Sequence, residues 1–442
     1  MLLTSNPILN KALEGQRITS EEALELFLHA DLLELAYVAN EKRKKLHPDS
    51  EATTYVVQRN INYSNVCTAS CSFCAFYTYP GVDDKSNPAY TLDYEMQIKP
   101  KIAELVAING TEILLQGGHN PELGLDYYQE LFINIKRDFP SVTLHALSPS
   151  EINHIAEKYF TSSSAYGDGT KMANIKEVMK NEIFHHGLSG QEVKDPLPEL
   201  GFIPRSGSKN AKNSIFQRIL KEPSLEEIKI VLLALKEAGM DSLPGAGAEI
   251  LTERVRLIIA PKKISSQRWL DIMEVAHSIG FKSSATMMYG HVETYEDRVE
   301  HLKALRDLQD RTNGFTAFVL WNFQRGDTPL GKIMDAYERD GKLPKYNRDS
   351  SGEEYLRSLA VSRIFLDNFK NFQASWVTQG HAIGQLSLNF GCNDLGGNMM
   401  EENVVSAANT TYRTSVEQMK YFIEACGRKA AQRDTQYNLV SS

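Results

Sequence analysis

TTYVVQRNINYSNVCTASCSFC, residues 53–74, joins a β-branched and aromatic run to a tight group of three cysteines. The run 53–63 reads as a strand. Cys67, Cys71 and Cys74 follow it directly, spaced Cys-x3-Cys-x2-Cys. Thiolates at those spacings on one loop can converge on neighbouring corners of an iron–sulfur cube. Three thiolates serve three irons and leave the fourth without a protein ligand. An open position of that kind separates a reactive metal centre from a structural one. A zinc site is the competing reading. It needs a fourth ligand from Cys392, Cys426 or a histidine, and no nearby CxxC or HxxxH pair completes the set.

Outward from this stretch, strand-like runs alternate with amphipathic ones. The strands read at 112–118, 142–148, 241–251, 282–290, 314–323 and 372–379, with a weaker one at 391–397. Helical periodicity falls between them at 99–109, 126–139, 224–239, 269–280, 294–313 and 353–368. Ser224 with Glu227 has the capping-box spacing. Counting 53–63, eight strand–helix alternations predict an α/β chain folded as a parallel (β/α)8 barrel of the TIM type, with a doubly wound sheet as the fallback. In such a barrel the cysteines follow the first strand, at the mouth where barrel enzymes place their chemistry. Residues 1–50 read as an N-terminal helical segment, where Thr19 and Glu22 again have capping-box spacing. The barrel is expected over 51–430 and a C-terminal tail over 431–442. Residues 161–222, rich in Ser, Gly, Lys and Asn, break the rhythm and read as a polar insertion.

Composition narrows the class. The 442 residues are 42% hydrophobic and 24% charged, a globular mix. The formal net charge of −8 is spread through the chain, which argues against a nucleic-acid surface. No apolar run is long enough to span a bilayer, and the start does not read as a secretory signal. Five cysteines, three of them clustered, do not look like a disulfide framework. A reducing, cytoplasmic setting is expected.

The cysteine motif resembles the radical S-adenosylmethionine (SAM) superfamily. RNINYSNVCTASCSFCAFYTYPG (59–81) is similar to the branch holding the menaquinone futalosine-pathway enzymes and the deazaflavin cofactor synthases. LQGGHNPELGLDYY (115–128), HALSPSEI (145–152), AGMDSLPGAGAEIL (238–251), ATMMYGHVET (285–294) and GGNMMEENVVSAAN (396–409) extend the likeness. It covers about 15–160 and 223–430. Within the branch it is strongest to the ring-closing enzymes that act on dehypoxanthine futalosine. Thr78, Ala246 and Leu320 depart from the pattern.

The resemblance implies a [4Fe–4S] cluster on Cys67, Cys71 and Cys74, with SAM on the open iron. It implies a 5′-deoxyadenosyl radical that takes hydrogen from C4′ of the substrate ribose. The carbon radical would add to the benzoate ring, and loss of one electron and one proton would restore aromaticity. A low-potential electron donor such as flavodoxin or ferredoxin is implied as partner, and dehypoxanthine futalosine as the small-molecule substrate. Aminofutalosine synthase and deazaflavin cofactor synthase chemistry are the neighbouring alternatives. A non-catalytic metal-binding protein is the alternative of another class.

Site candidates follow from both lines. Phe73 fits a ring packed near cluster and adenine. Gln116, Gly117 and Gly118 end the second strand, where glycines let the backbone come close to a ligand. Ser148 ends the third. Glu249 offers acceptor-only chemistry to hydroxyl or ammonium groups of SAM. Of Arg254, Arg256 and Arg268, one is expected to meet the SAM carboxylate, and Arg268 is the candidate. His145, His291, Glu293 and Glu401 are the catalytic or substrate-binding candidates.

Overall fold

The computed structural model describes residues 4–48, 51–162, 222–341 and 351–440. Most of the expected insertion, 163–221, lies outside them. Ten strands make one parallel sheet: β1 (Thr53–Val56), β2 (Gln58–Ile61), β3 (Glu112–Leu115), β4 (Thr143–Ala146), β5 (Ser242–Leu243), β6 (Lys282–Tyr289), β7 (Phe315–Asn322), β8 (Asn371–Gln373), β9 (Asp394–Gly397) and β10 (Ala430–Gln432). β2 pairs with β3 and β1 with β9, yet β1 and β2 are one run of chain interrupted only at Val57. The carbonyls of Val56 and Gln58 accept from Asn398 N and Met400 N, while that of Val57 accepts from Thr111 N. The stretch 53–61 is thus hydrogen-bonded on both edges, and the sheet closes. Counted as one stave with β3–β9, it gives the eight-stranded barrel.

Helices lie outside and are started by the residue types that start helices. Thr19 and Ser224 both make reciprocal capping boxes, with Glu22 and Glu227. The N-terminal helices Ser20–His29 and Leu32–Leu46 pack on Gly352–Phe365, and Arg357 Nη1 donates to Ala30 O at 2.7 Å. They brace the barrel from outside, where Phe27 also stacks on Tyr295 with ring centres 5.0 Å apart.

Two strands are shorter than their sequence suggests. In 241–251 only Ser242 and Leu243 pair, because Pro244 has no N–H to donate and Gly247 and Glu249 turn into the left-handed region. In 372–379, Gln373 is the last paired residue. Trp376 Nε1 then donates to Gly397 O at 3.1 Å, and Trp376–Gln379 is a short helix.

The lumen is not filled. Along β6, Ser283, Ala285 and Met287 face the helices and are buried, while Ser284 and Thr286 line an internal cavity of about 390 Å³. Small side chains on the lumen face leave room for a ligand where many barrels of this type are packed solid. The chain end makes the floor. β10 extends the sheet beside β1, and Arg433 grips Asp394 through Nε (2.6 Å) and Nη2 (2.9 Å). Thr435 donates to Glu112 Oε2 at 2.6 Å.

Candidate active site

The loop after β2 is held on three sides. Thr68 N donates to His119 O in the turn after β3 (3.1 Å), and Ser72 N to Ile259 O at the end of helix Glu253–Ile259 (2.9 Å). Leu330 N, at the start of helix Pro329–Arg339, donates to Ser72 O (2.8 Å). Cys67 N to Thr78 O (3.0 Å) and Thr78 N to Asn65 O (2.9 Å) close the loop on itself. Thr78, one of the departures from the family pattern, thereby acts as a loop anchor. Cys67, Cys71 and Cys74 all line the cavity mouth.

The donor set fits a cluster. His119 N–H points at Cys67 Sγ from 3.3 Å. The backbone N–H groups of Phe76 and Tyr77 point at Cys74 and oppose the rise that burial imposes on its thiol. Burial pushes the Cys71 thiol up to about 12. A thiol so placed becomes a thiolate only when a metal replaces its proton. Among the described residues, no three His, Cys, Asp or Glu side chains are gathered as a single metal ion needs. A lone zinc ion requires such a convergence, whereas a cube takes each thiolate on a separate iron.

Lys263 completes the mouth. Its Nζ lies 2.9 Å from Glu249 Oε1 and 5.4 Å from the centre of the Phe73 ring. Burial works against the ammonium, but Cys71 and Glu249 outweigh it and hold Lys263 protonated beyond its ordinary range. Glu249 sits at φ +48, and its carbonyl accepts from Met288 N at 2.8 Å. Left-handed backbone at a non-glycine residue is tolerated where the surroundings fix it. In the charged run Pro261-Lys262-Lys263, nothing separates the half-buried Lys263 from its solvated neighbour. Only the approach of helix Glu253–Ile259 to the cysteine loop does so.

The Gln116–Gly118 turn also lines the cavity, and its glycines serve close packing. A Cβ on Gly117 would stand 2.5 Å from the Tyr63 ring, and one on Gly118 only 2.3 Å from Val66 O. Glu151, 4% exposed, ties the turn to the next strand. It accepts from Gly117 N (3.0 Å), Tyr63 OH (2.8 Å), and Ser148 N and Oγ (both 2.7 Å). Burial raises its carboxyl above the usual range. The spacing Ser148-x-x-Glu151 is a capping box, a signal available in the sequence. His145 lines the lumen, its Nδ1 2.6 Å from Ser242 Oγ, and burial lowers its pKa.

Four candidates lie away from the cavity wall. Arg268 is buried, bonded to Asn153 Oδ1 at 2.9 Å and to Pro223 O, where it anchors helices. Arg254 pairs with Asp297, and Arg256 caps the carbonyls of Gly247, Ala248 and Ile264. No arginine of this trio reaches the cavity. Glu401 faces outward to Arg59 and Lys101. Its neighbour Glu402 faces in, an alternation that the run Met-Met-Glu-Glu does not reveal. His291 and Glu293 knit the loop after β6, where Glu293 accepts from Gly290 N and from Arg298 (2.8 Å).

Burial alone would raise the Glu293 carboxyl, but His291, Arg298 and two backbone amides outweigh it and bring it to about 2. Glu293→Gln is therefore expected to cost about 3–5 kcal/mol at neutral pH, since it breaks a buried ion pair. A carboxyl with a lower pKa folded than unfolded contributes fully above its unfolded value and loses that contribution as pH falls. The gap between wild type and variant should narrow from the ordinary 4.5 down to about 2. Denaturant midpoints across that range check it, and a gap independent of pH would count against the pairing.

Comparison with known proteins places this geometry. The radical SAM superfamily model matches residues 61–242 and 175–305, and the model for the CofH/MqnC C-terminal region matches 312–442. A cyclic dehypoxanthine futalosine synthase of Halalkalibacterium halodurans is 37% identical over 98% of this chain and 94% of its own. One of Streptomyces coelicolor is 38% identical over 98% and 88%. A 5-amino-6-(D-ribitylamino)uracil–L-tyrosine 4-hydroxyphenyl transferase of Methanosarcina barkeri is 33% identical over 98% and 91%. Among solved structures, methylornithine synthase matches with a TM-score of 0.60 at 16% identity, covering 96% of this chain and 97% of that one, a likeness of fold. The chain belongs to the radical SAM superfamily, whose enzymes use a [4Fe–4S] cluster and SAM, and to its CofH/MqnC branch.

Proposed function

We propose that this enzyme cyclises dehypoxanthine futalosine in menaquinone biosynthesis. The observation that carries the reading is end-to-end similarity to two futalosine synthases, higher than to the tyrosine hydroxyphenyl transferase. A bound [4Fe–4S] cluster and SAM would together supply one-electron chemistry able to take hydrogen from an unactivated carbon. Cys67, Cys71 and Cys74 would hold the cluster. Glu249 presents acceptors to the hydroxyl or amino groups of SAM, while Lys263 keeps charge balanced beside the thiolates. Phe73 packs over the Lys263 ammonium and shields the mouth. The Glu151 network fixes the Gly117–Gly118 backbone, so that the ligand meets a preorganised surface. A substrate seated in the lumen would be drawn away from bulk water.

A low-potential donor such as flavodoxin or ferredoxin would supply the electron, and the reducing cytoplasm is the setting for five free cysteines. No helix among the described residues is long and apolar enough to cross a membrane. The test is turnover. Anaerobically reconstituted enzyme with reductant, SAM and dehypoxanthine futalosine should yield 5′-deoxyadenosine and a product lighter by two hydrogens. Tyrosine with ribitylaminouracil in place of futalosine should give no adduct. The reverse outcome would move the chain to transferase chemistry.

A further inference from the structure

On the wall between β2 and the loop after β9 stands a polar pair outside the cysteine mouth. Asn60 and Glu402, 6% and 7% exposed, both line the cavity. Asn60 Nδ2 donates to Glu402 Oε2 at 2.8 Å. Glu402 Oε1 is pinned in turn by Val404 N (2.7 Å) and Val405 N (2.9 Å). The next rung repeats the tie: Asn403 Nδ2 donates to Asn62 Oδ1 at 3.2 Å. Asn60 differs from its neighbours in one respect. Its Oδ1 is buried and has no hydrogen-bond partner in the protein.

A buried amide oxygen without a partner calls for a donor from elsewhere. Its orientation is fixed. Turning the amide over would set Oδ1 against the Glu402 carboxylate, acceptor against acceptor. Asn60 Oδ1 is therefore an acceptor still wanting a donor, which suits a hydroxyl group of a ligand. We propose that Asn60 Oδ1 accepts a hydrogen bond from a ribose hydroxyl of the substrate, with Glu402 as the residue that positions Asn60. This rests on the cyclase reading and adds a substrate-orienting contact to it.

Asn60→Ala and Glu402→Gln test it in the full-length reconstituted enzyme. In Glu402→Gln the new amide can donate, the Asn60 amide can turn, and a donor then meets the substrate's donor. Both variants should keep cluster iron and the KM for SAM. Both should raise the KM for dehypoxanthine futalosine at least tenfold and release more 5′-deoxyadenosine per product. Of the 2′- and 3′-deoxy substrates, one should cost wild type a similar factor and cost Asn60→Ala nothing further. Variants with wild-type KM and coupling, or a deoxy penalty unchanged by Asn60→Ala, overturn the contact while the cyclase reading stands. A wild type inert on dehypoxanthine futalosine removes both. Should Asn60→Ala lose iron through misfolding, the nearly isosteric Glu402→Gln decides.

Discussion

Cys71→Ala should empty the site of iron and lower turnover by about a thousandfold or more, to background, as expected when one member of an interdependent set is lost. Cys71 is the most enclosed of the three thiols, 5% exposed. Cys392 is not placed to replace it, since it packs beside Arg363 rather than on the cavity. Iron and sulfide content, the cluster's charge-transfer absorption and SAM cleavage should all fall together. Cys392→Ala is the control, buried but away from the mouth, and should keep its iron. Retained SAM cleavage in Cys71→Ala would mean that another side chain holds the cluster. The fold should survive, because an alanine leaves only a small gap and the loop is held by backbone bonds at Thr68, Ser72 and Thr78.

That separation of scaffold from chemistry explains what the sequence could disclose. Local signals were legible wherever a local interaction decides the outcome. Thr19 with Glu22 and Ser224 with Glu227 start helices because their partners are three residues away. The eight staves follow from alternation, and the cysteines from their spacing. Lys263, Arg433 and the choice of Glu402 over Glu401 were not legible, since each is decided by chain that is distant in sequence. Lys263 is partly covered by the cysteine loop about 190 positions earlier, as the Ser72–Ile259 bond records. Glu402 faces inward because Asn60 meets it across the seam where the barrel closes. The same reasoning accounts for Arg268, His291 and Glu293. Each has the polarity of a site residue, and tertiary structure spends it on tying loops to helices.

The stretch before residue 441 is the sharpest case, because 431–440 carries no strand signal and yet forms the floor. Arg433 is 3% exposed and Asp394 fully buried, so their bidentate pair is out of reach of water. Asp394 also accepts from Thr54 Oγ1 at 2.5 Å, which joins the first stave, the ninth strand and the chain end in one network. Arg433→Leu removes the cation and leaves the carboxylate buried, at an expected cost of about 3–5 kcal/mol. Removing both charges should cost much less, since an apolar pair of similar volume avoids the desolvation penalty. In Arg433→Leu with Asp394→Leu, at least half of the loss should return, less what Thr54 forfeits as a donor. Denaturant unfolding of the two variants separates the effects. A loss below about 1 kcal/mol in the single variant, the range of exposed pairs, would mean that water reaches the floor and that the lumen opens at both ends.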